Sequence, residues 1–302
     1  MTASLALLRV HVLVVELPGR PVLRLRAQAA VRARGWVPVD EPADADLVLV
    51  CGTPVPEVVA AVDALWWQVP APRVRRTVRS AEALPEALDS AARVLADAAL
   101  QRRAAAAPGT PPEGLRGSAE TRRRAAPEVP NAASRLKSAD PRTFSVRFGP
   151  VGPDWPAGLL LDCTADAGGR VVAVGVRRLG SSSDRATAPE LALLLAVADA
   201  ARLLRLAGWS APALRLDRVV DLALAGTPRD RVRRRLRAVA GLVRRSATFR
   251  WTSGDAARAR ILTLLDSALG GTVPPPPAER VLVGARLADV PLLVATTEPL
   301  DG

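Results

Sequence analysis

The sequence predicts an α/β domain built on a parallel sheet, then a linker, then an α+β domain made of a hairpin and a helix bundle. Three observations carry this reading. Within residues 1–101, apolar strand runs alternate with segments of helical period, the order of strand-helix-strand units that closes a doubly wound parallel sheet by right-handed crossovers. Within 102–141, Ala, Pro, Gly and Arg dominate without any apolar period, as in "AAAAPGTPPEGLRGSAETRRRAAPEVPNAASR"; such a segment cannot bury a core. Within 142–302, two strand patterns flank the turn "ADAGG" and four helical patterns follow.

The elements follow in order. "RVHVLVVEL" suits a strand buried on both faces, and "VLRLRAQAAVRARG" after Pro21 has the helical period and stops at Gly35. "DLVLVCG" is the second strand, "PEVVAAVDALWWQV" the second helix, stopped by "PAP", and "RVRRTV" a short third strand. One helix is predicted over "ALPEALDSAARVLADAALQRR". In the second half, "TFSVRFGPVGPDWPAG" leads into the hairpin strands "GLLLDCTA" and "RVVAVGVRR". Helices are predicted over "APELALLLAVADAARLLRLAG", "APALRLDRVVDLALAG", "PRDRVRRRLRAVAGLVRRS" and "GDAARARILTLLDSALGG", each ended by Gly or a polar turn. After "VPPPP" two short strands are expected, "RVLVGARL" and "PLLVATTE".

Composition bounds the function. A chain of 302 residues with 49% apolar content is long enough for two domains and is not disordered as a whole. The longest apolar run, from Leu191, is broken by Asp199 and Arg202 before the roughly 20 residues of a bilayer span. The opening "MTASLALLRVHVLVVEL" has neither a basic start nor a small-residue cleavage site. A cytoplasmic protein is expected, with peripheral attachment to the inner face of a membrane as a further option. The net charge of +12 and pI near 11.4 invite a nucleic-acid reading. Against it, Lys137 is the only lysine, Tyr is absent, and the arginines spread over helix faces, with runs at Arg122 to Arg124 and Arg231 to Arg237. Solvated faces are the favoured reading over a phosphate-binding surface.

Only Cys51 and Cys163 occur, more than a hundred residues apart, which excludes a disulfide framework and an all-cysteine metal or cluster site within one chain. The single histidine, His11, lies in an apolar strand and reads as a satisfied half-buried ring. No phosphate-cradling loop is present, since "GTPVPE" lacks the glycine spacing and terminal Lys. Asp162, Asp166, Asp217 and Asp221 are the carboxylates to weigh as ligands or an acid/base pair. Asp217 and Asp221 share a helix face flanked by Arg215 and Arg218, so surface ion pairing is preferred. Ser181 to Ser183 read as a loop with a capping residue. Cys51 reads as a packing residue.

The segment "ADADLVLVCGTPVPEVVAAVDALWWQVPAPRV" resembles the iron-sulfur small subunit shared by respiratory complex I and membrane-bound NiFe hydrogenases, with Asp46, Gly52, Thr53, Trp67, Gln68, Pro70, Pro72 and Arg73 carrying the match. The second half resembles the large subunit of the same enzymes. There "FGPVGPDWPAGLLLDCTADAGGRVVAVGV", with Gly149, Pro150 and Pro153, matches its opening, and "RLLRLAGW" and "RRRLRAVAGLVRRSATFRWTSG" match its helices. The resemblance implies an α/β flavodoxin-like parallel sheet for 1–101 and a large-subunit-like domain for 142–302. The departures are as informative. The family holds its cluster with cysteines in the turn after the first strand and in later turns; here that turn reads "ELPGRPVL" and the turn after "RVRRTV" reads "RSAEALP". Hydrogenase-type large subunits bind nickel and iron through C-x-x-C pairs, which are absent, and the His and Tyr of a complex I quinone site are missing from the second half.

The expectation is therefore a cofactor-free accessory or structural protein, related to NADH-quinone oxidoreductase and hydrogenase subunits, with no catalytic, cofactor-binding or metal residues. Its partners would be subunits of a complex I-like or hydrogenase-like membrane complex. Trp66, Trp67 and Trp155 are the candidates for docking them. Gly52, Thr53, Gln68, Pro70, Pro72, Arg73, Gly149, Pro150 and Pro153 are the structural residues of the family motif. The alternatives are a redox subunit of such a complex, and an Arg-rich module, Arg229 to Arg245, for nucleic acid or anionic membrane.

Overall fold

A computed structural model describes residues 9–53, 55–106, 134–136, 142–180, 189–252, 254–275, 277 and 279–300. The first half alternates β1 (His11–Glu16), α1 (Pro21–Ala33), β2 (Val37–Val39), β3 (Leu47–Cys51), α2 (Pro56–Trp66), β4 (Val74–Val78), α3 (Leu84–Ala96) and α4 (Ala98–Ala106). Its sheet is wholly parallel in the order β2-β1-β3-β4. Both faces are buried because neighbouring side chains on a strand point to opposite sides. Val12, Val14, Leu47, Leu49 and Cys51 pack against α1 and α3, through Leu23, Ala27, Leu88 and Ala91. Leu13, Val15, Val48 and Val50 pack against Val58, Val62 and Leu65 of α2.

Two details differ from the sequence reading of this half. β2 was not foreseen, since "VPV" is too short to show a period and its half-exposed residues suit an edge position, where Pro38 is tolerated. The single helix expected over 83–103 is two, because Asp97 turns its carboxylate onto the backbone N–H groups of Ala99 and Leu100 (3.0 and 2.9 Å) and starts α4. Helix α4 runs on to Ala106, and residues 134–136 form a strand, so the ends of the 102–141 segment are structured. The rest of that linker expectation lies outside the described residues.

The second half opens with an antiparallel sheet in the order β5-β6-β7-β8, comprising β5 (Ser134–Leu136), β6 (Thr143–Phe148), β7 (Leu159–Asp166) and β8 (Val171–Arg178). The β7–β8 pair is the hairpin expected from "ADAGG". Helices α5 (Pro189–Leu206), α6 (Ser210–Leu224), α7 (Arg229–Arg245), α8 (Ala247–Thr252) and α9 (Asp255–Gly270) follow. They share a core of Leu203, Leu204, Leu216, Val243, Phe249, Ile261 and Leu264. The chain ends with β9 (Glu279–Val281), α10 (Val290–Thr296) and β10 (Glu298–Leu300), in which β9 and β10 pair in parallel. The strand expected over "PLLVATTE" is thus mostly a helix. Pro291 sits where its missing N–H costs nothing, and Val290 and Val294, one turn apart, are buried against the antiparallel sheet. Only the start of "RVLVGARL" is a strand, because Gly284 turns the chain back at φ +87°.

The halves interpenetrate. Leu25 of α1 joins the helical core of the second half, while Val151 joins the first half's core under α2. Among the described residues no helix is long and apolar enough to cross a membrane.

Candidate functional site

In a parallel sheet of order β2-β1-β3-β4 the connections diverge between β1 and β3, and the crevice beyond their carboxyl ends is where such sheets receive ligands. Here the chain fills that crevice itself. Leaving β1, the Leu17 N–H donates to the Cys51 carbonyl at 3.1 Å, and beyond β3 the Gly52 N–H donates to Val78 at 2.8 Å. Gly52 has φ +126°, and a Cβ there would stand 2.9 Å from Cγ of Arg20 and 3.0 Å from Cβ of Leu17. Glycine is needed at that position to admit the turn that covers it. Pro18 of the same turn presses on the second half: a Cβ added at Gly158 would lie 2.7 Å from its ring, and one at Gly180 2.8 Å from it. The two glycines are joined through Leu179, whose N–H donates to the Gly158 carbonyl at 2.7 Å.

The loop that presents Gly158 is built by the motif residues of the second half. Gly149–Pro150 is a cis peptide, and Gly149, at φ +83°, approaches so closely that a Cβ would fall 2.0 Å from the Leu159 carbonyl. The Gly158 N–H donates to the buried Pro150 at 2.8 Å, and the indole N–H of Trp155 donates to Leu159 at 2.6 Å. Trp155 is only 8% exposed and stacks on Phe148 at 5.7 Å between centroids. The docking role expected of Trp155 is corrected: its ring is used inside the chain. Half-buried Pro153 sits in the same loop.

Below this contact lies a charged seam. Arg205 of α5, 17% exposed, donates to Asp154 of the loop (3.4 Å) and to Asp217 of α6 (3.1 Å). Burial alone would lower its pKa, but Asp154, Asp217 and Asp40 surround it and raise it instead. Asp40, just beyond β2, keeps much of its surface in solvent, yet its carboxyl is raised above the ordinary value, first by loss of water on the side facing the seam and then by Asp154 and Asp217, against the pull of Arg205. Glu41 is raised too, by burial and then by Asp40 and Asp44. Further along, Arg32 of α1 grips Asp221 of α6 with two bonds of 2.7 and 2.6 Å. Asp217 and Asp221 are therefore ion-paired as expected of their type, but with arginines of other elements and not with Arg215 and Arg218. Asp162 pairs with Arg147 and Arg177 across the antiparallel sheet; burial alone would raise its carboxyl, but those bonds hold it down. Asp166 caps its own turn through the Arg170 N–H. Ser181 to Ser183 lie outside the described residues.

The donor set does not fit an iron-sulfur cluster or a thiolate-bound nickel site. Such groups need several converging thiolates. Cys51 is fully buried at the end of β3, its thiol pushed up to about 12 by burial and then by Glu16, while Cys163, in the other sheet, is pushed up to about 11 by burial and then by Asp162. Both are protonated at neutral pH and they belong to different cores. Among the described residues no three His, Cys, Asp or Glu side chains converge as a metal site would require. His11 donates its backbone N–H to Asp46 at 2.8 Å and has its ring 3.3 Å from the same carboxylate.

A second surface gathers the remaining motif residues. The Arg73 guanidinium lies 4.6 Å from the Trp66 ring and 5.7 Å from the Trp67 ring. It also donates to the carbonyls of Trp66 (3.0 Å), the last residue of α2, and Val69 (2.8 Å), just beyond it; the Trp66 carbonyl accepts the Val69 N–H as well, at 3.2 Å. Gln101 of α4, 8% exposed, accepts from the Arg73 backbone N–H at 3.0 Å. Ala71–Pro72 is cis, which turns the chain from α2 into β4, with Pro70 and Pro72 exposed on the bend. Exposed Gln68 caps its own helix through Ala64, and Thr53 is exposed beyond β3. Between Trp67, Arg73, Gln101 and Ala105 is a shallow cavity of about 240 Å³.

Sequence reasoning missed Pro18, Gly158 and Gly180 as members of one contact and Arg205 as the partner of Asp154 and Asp217, since they are scattered over the chain, and missed Gln101, which looked like one more polar residue near a linker. Pro18–Gly19 at a strand's carboxyl end was the available signal. Compared with protein-family models, curated proteins and solved structures, the chain matches none of them.

Proposed function

We propose that the chain is a cofactor-free accessory or structural subunit, a fused relative of the small and large subunits of complex I and membrane-bound NiFe hydrogenases. The observation that carries this is Pro18. In the turn where the resemblance calls for cysteines, a proline ring packs instead on Gly158 and Gly180 of the other half. The crevice at the ends of β1 and β3 is thereby used for docking one half on the other. The strand order β2-β1-β3-β4 agrees with the start of a flavodoxin-like sheet, which supports the small-subunit likeness. On this reading the fusion keeps, within one chain, the contact that the two enzyme subunits make face to face, and the Trp66–Trp67–Arg73 surface is left for another subunit of a membrane-associated complex.

The test has two parts. Full-length protein purified anaerobically is assayed for iron and by optical spectroscopy, where substoichiometric iron and no charge-transfer bands are expected. Stoichiometric iron with such bands would instead support a redox subunit that borrows ligands. A pull-down from the native host with mass spectrometry is then expected to recover NADH dehydrogenase-like or hydrogenase-like subunits, and their absence from the eluate would overturn the proposal.

A further inference from the structure

Helix α7 carries eight arginines and one aspartate, more than half of the chain's net charge of +12. Its apolar side, Leu236, Val239, Ala240 and Val243, is spent in the helical core. Three arginines at its margins are engaged: Arg229 with Glu190, Arg244 with Asp266, and Arg233 with the Leu269 carbonyl that ends α9. Four others, Arg231, Arg234, Arg235 and Arg237, are exposed and have no carboxylate partner among the described residues. Arg245 is exposed as well and lies back along the helix over Gly241.

We infer that this face of α7 binds the surface of an anionic lipid bilayer, lying on the headgroups with only Leu242 reaching into their boundary. The arginines are arranged for it. Arg234, Ala238, Gly241 and Arg245 fall at spacings of four, three and four, so they form one row along the helix, with small residues between two arginines. Arg231 and Arg235 line one side of this row and Arg237 the other. Small residues at the crown let a surface approach the helix backbone, while the flexible arginine side chains reach the phosphates on either side. The one large apolar side chain on the face, Leu242, is 37% exposed and neighbours Ala238 and Arg245. An apolar side chain among arginines finds a favourable partner at a headgroup boundary and none on a phosphodiester backbone. Apart from arginine, which suits the phosphates of either partner, the face offers no Asn, Gln, Thr or aromatic residue to read or stack on bases. Both points favour a bilayer over nucleic acid. Because the apolar side of α7 is already buried, binding is electrostatic and salt-sensitive. The inference does not depend on the subunit reading, and its test uses lipid alone.

Full-length protein is sedimented with vesicles of phosphatidylcholine, pure or with about 30 mol% phosphatidylglycerol, an anionic content in the range where polybasic faces respond. Binding is expected only to the anionic vesicles, and it should vanish at roughly 0.5 M salt, where screening extends only a few ångströms. The variant Arg231→Gln/Arg234→Gln/Arg235→Gln should lose roughly a hundredfold in partitioning. The corresponding triple Arg→Lys variant should keep most of the binding, and melting curves within a few degrees of wild type would show that both variants fold. Leu242→Ser should weaken vesicle binding several-fold and leave any duplex DNA binding unchanged. Equal binding to neutral vesicles, wild-type binding by the glutamine variant, tighter binding to duplex DNA than to vesicles, or no binding to either would each overturn the inference.

Discussion

The crevice beyond β1 and β3 and the surface at the end of α2 are finished in opposite ways. The crevice is filled by the chain's own Pro18, backed by two close-approach glycines, and the loop that carries Gly158 is tied by Asp154 to Arg205. The end of α2 is left open, with two tryptophans and an arginine arranged around a shallow cavity. The first arrangement spends its complementarity internally, so disturbing it changes stability. In the second, Arg73 is bonded internally but the outer Trp67 ring spends little, so on the proposed docking reading disturbing that ring should change association and leave the fold nearly as it was. That contrast separates a contact between two halves from the surface proposed for a partner, and it can be broken experimentally from either side.

The severest break is Gly158→Ala. The residue has φ +80°, and the new Cβ would meet the Leu179 carbonyl at 2.3 Å and the Pro18 ring at 2.7 Å. Left-handed backbone in a non-glycine residue and overpacking each cost about 1–3 kcal/mol. Because neither backbone can retreat without separating the halves, a loss of about 4 kcal/mol is expected in denaturant unfolding. A loss under about 1 kcal/mol would mean that the turn of Pro18 is not held against this loop.

Next comes the charge seam. Arg205→Met keeps the length of the side chain but leaves Asp154 and Asp217 without their cation, a change of the kind that costs about 3 kcal/mol. The same seam gives a pH signature of opposite sign. Asp40 has its folded pKa raised above the ordinary 3.8, so folding disfavours its ionised form. Its contribution is intact below that value and is lost as pH rises through the folded pKa. Asp40→Asn removes the loss, so its melting midpoint should exceed that of wild type at pH 7, by a small amount because solvent screens an exposed carboxyl, and converge with it below pH 3.8. A variant less stable than wild type at pH 7 would show that Asp40 serves as a partner to Arg205 and is not a strained neighbour.

Much of the parallel half was legible because its signal is local. Val12 to Val15 and Leu47 to Val50 are apolar at every position, as a sheet covered on both faces requires, and Pro21, Gly35 and Pro56 punctuate the helices around them. The helix at 290–296 was not legible, since "PLLVAT" is equally a buried strand or one buried turn, and only packing on the antiparallel sheet decides between them. The site divides along the same line. Gly52, Gly149, Arg73 and the tryptophans stand out in the sequence by residue type. The contact that gives them meaning joins Pro18 to residues more than a hundred positions away, which no spacing rule reports. Trp155 shows the converse error, since an aromatic beside "GPD" looks like an anchor until Phe148 and the Leu159 carbonyl are seen to use both its face and its N–H.

The mildest change on stability is the sharpest on association. Trp67 is half-buried, its backbone N–H caps α2 on Asp63, and its ring supplies the outer of the two faces near Arg73. In Trp67→Ala the backbone bond remains, the closer Trp66 stack at 4.6 Å remains, and so do the Arg73 bonds to the Trp66 and Val69 carbonyls. An exposed cation–π contact contributes about 0.5–1 kcal/mol, so unfolding should change by no more than about 1 kcal/mol. If the surface is where another subunit docks, the same substitution removes a central aromatic anchor, and such anchors carry about 2 kcal/mol or more of binding, at least tenfold in affinity. Comparing Trp67→Ala with Arg73→Ala in the pull-down then sharpens the distinction. Arg73→Ala removes the guanidinium from the Val69 carbonyl and one of two donors from the Trp66 carbonyl, so it should lower stability and association together, whereas Trp67→Ala should lower association alone. Equal recovery of subunits by Trp67→Ala and wild type would make the two tryptophans a cover for the arginine that ends α2, and would move the docking surface elsewhere.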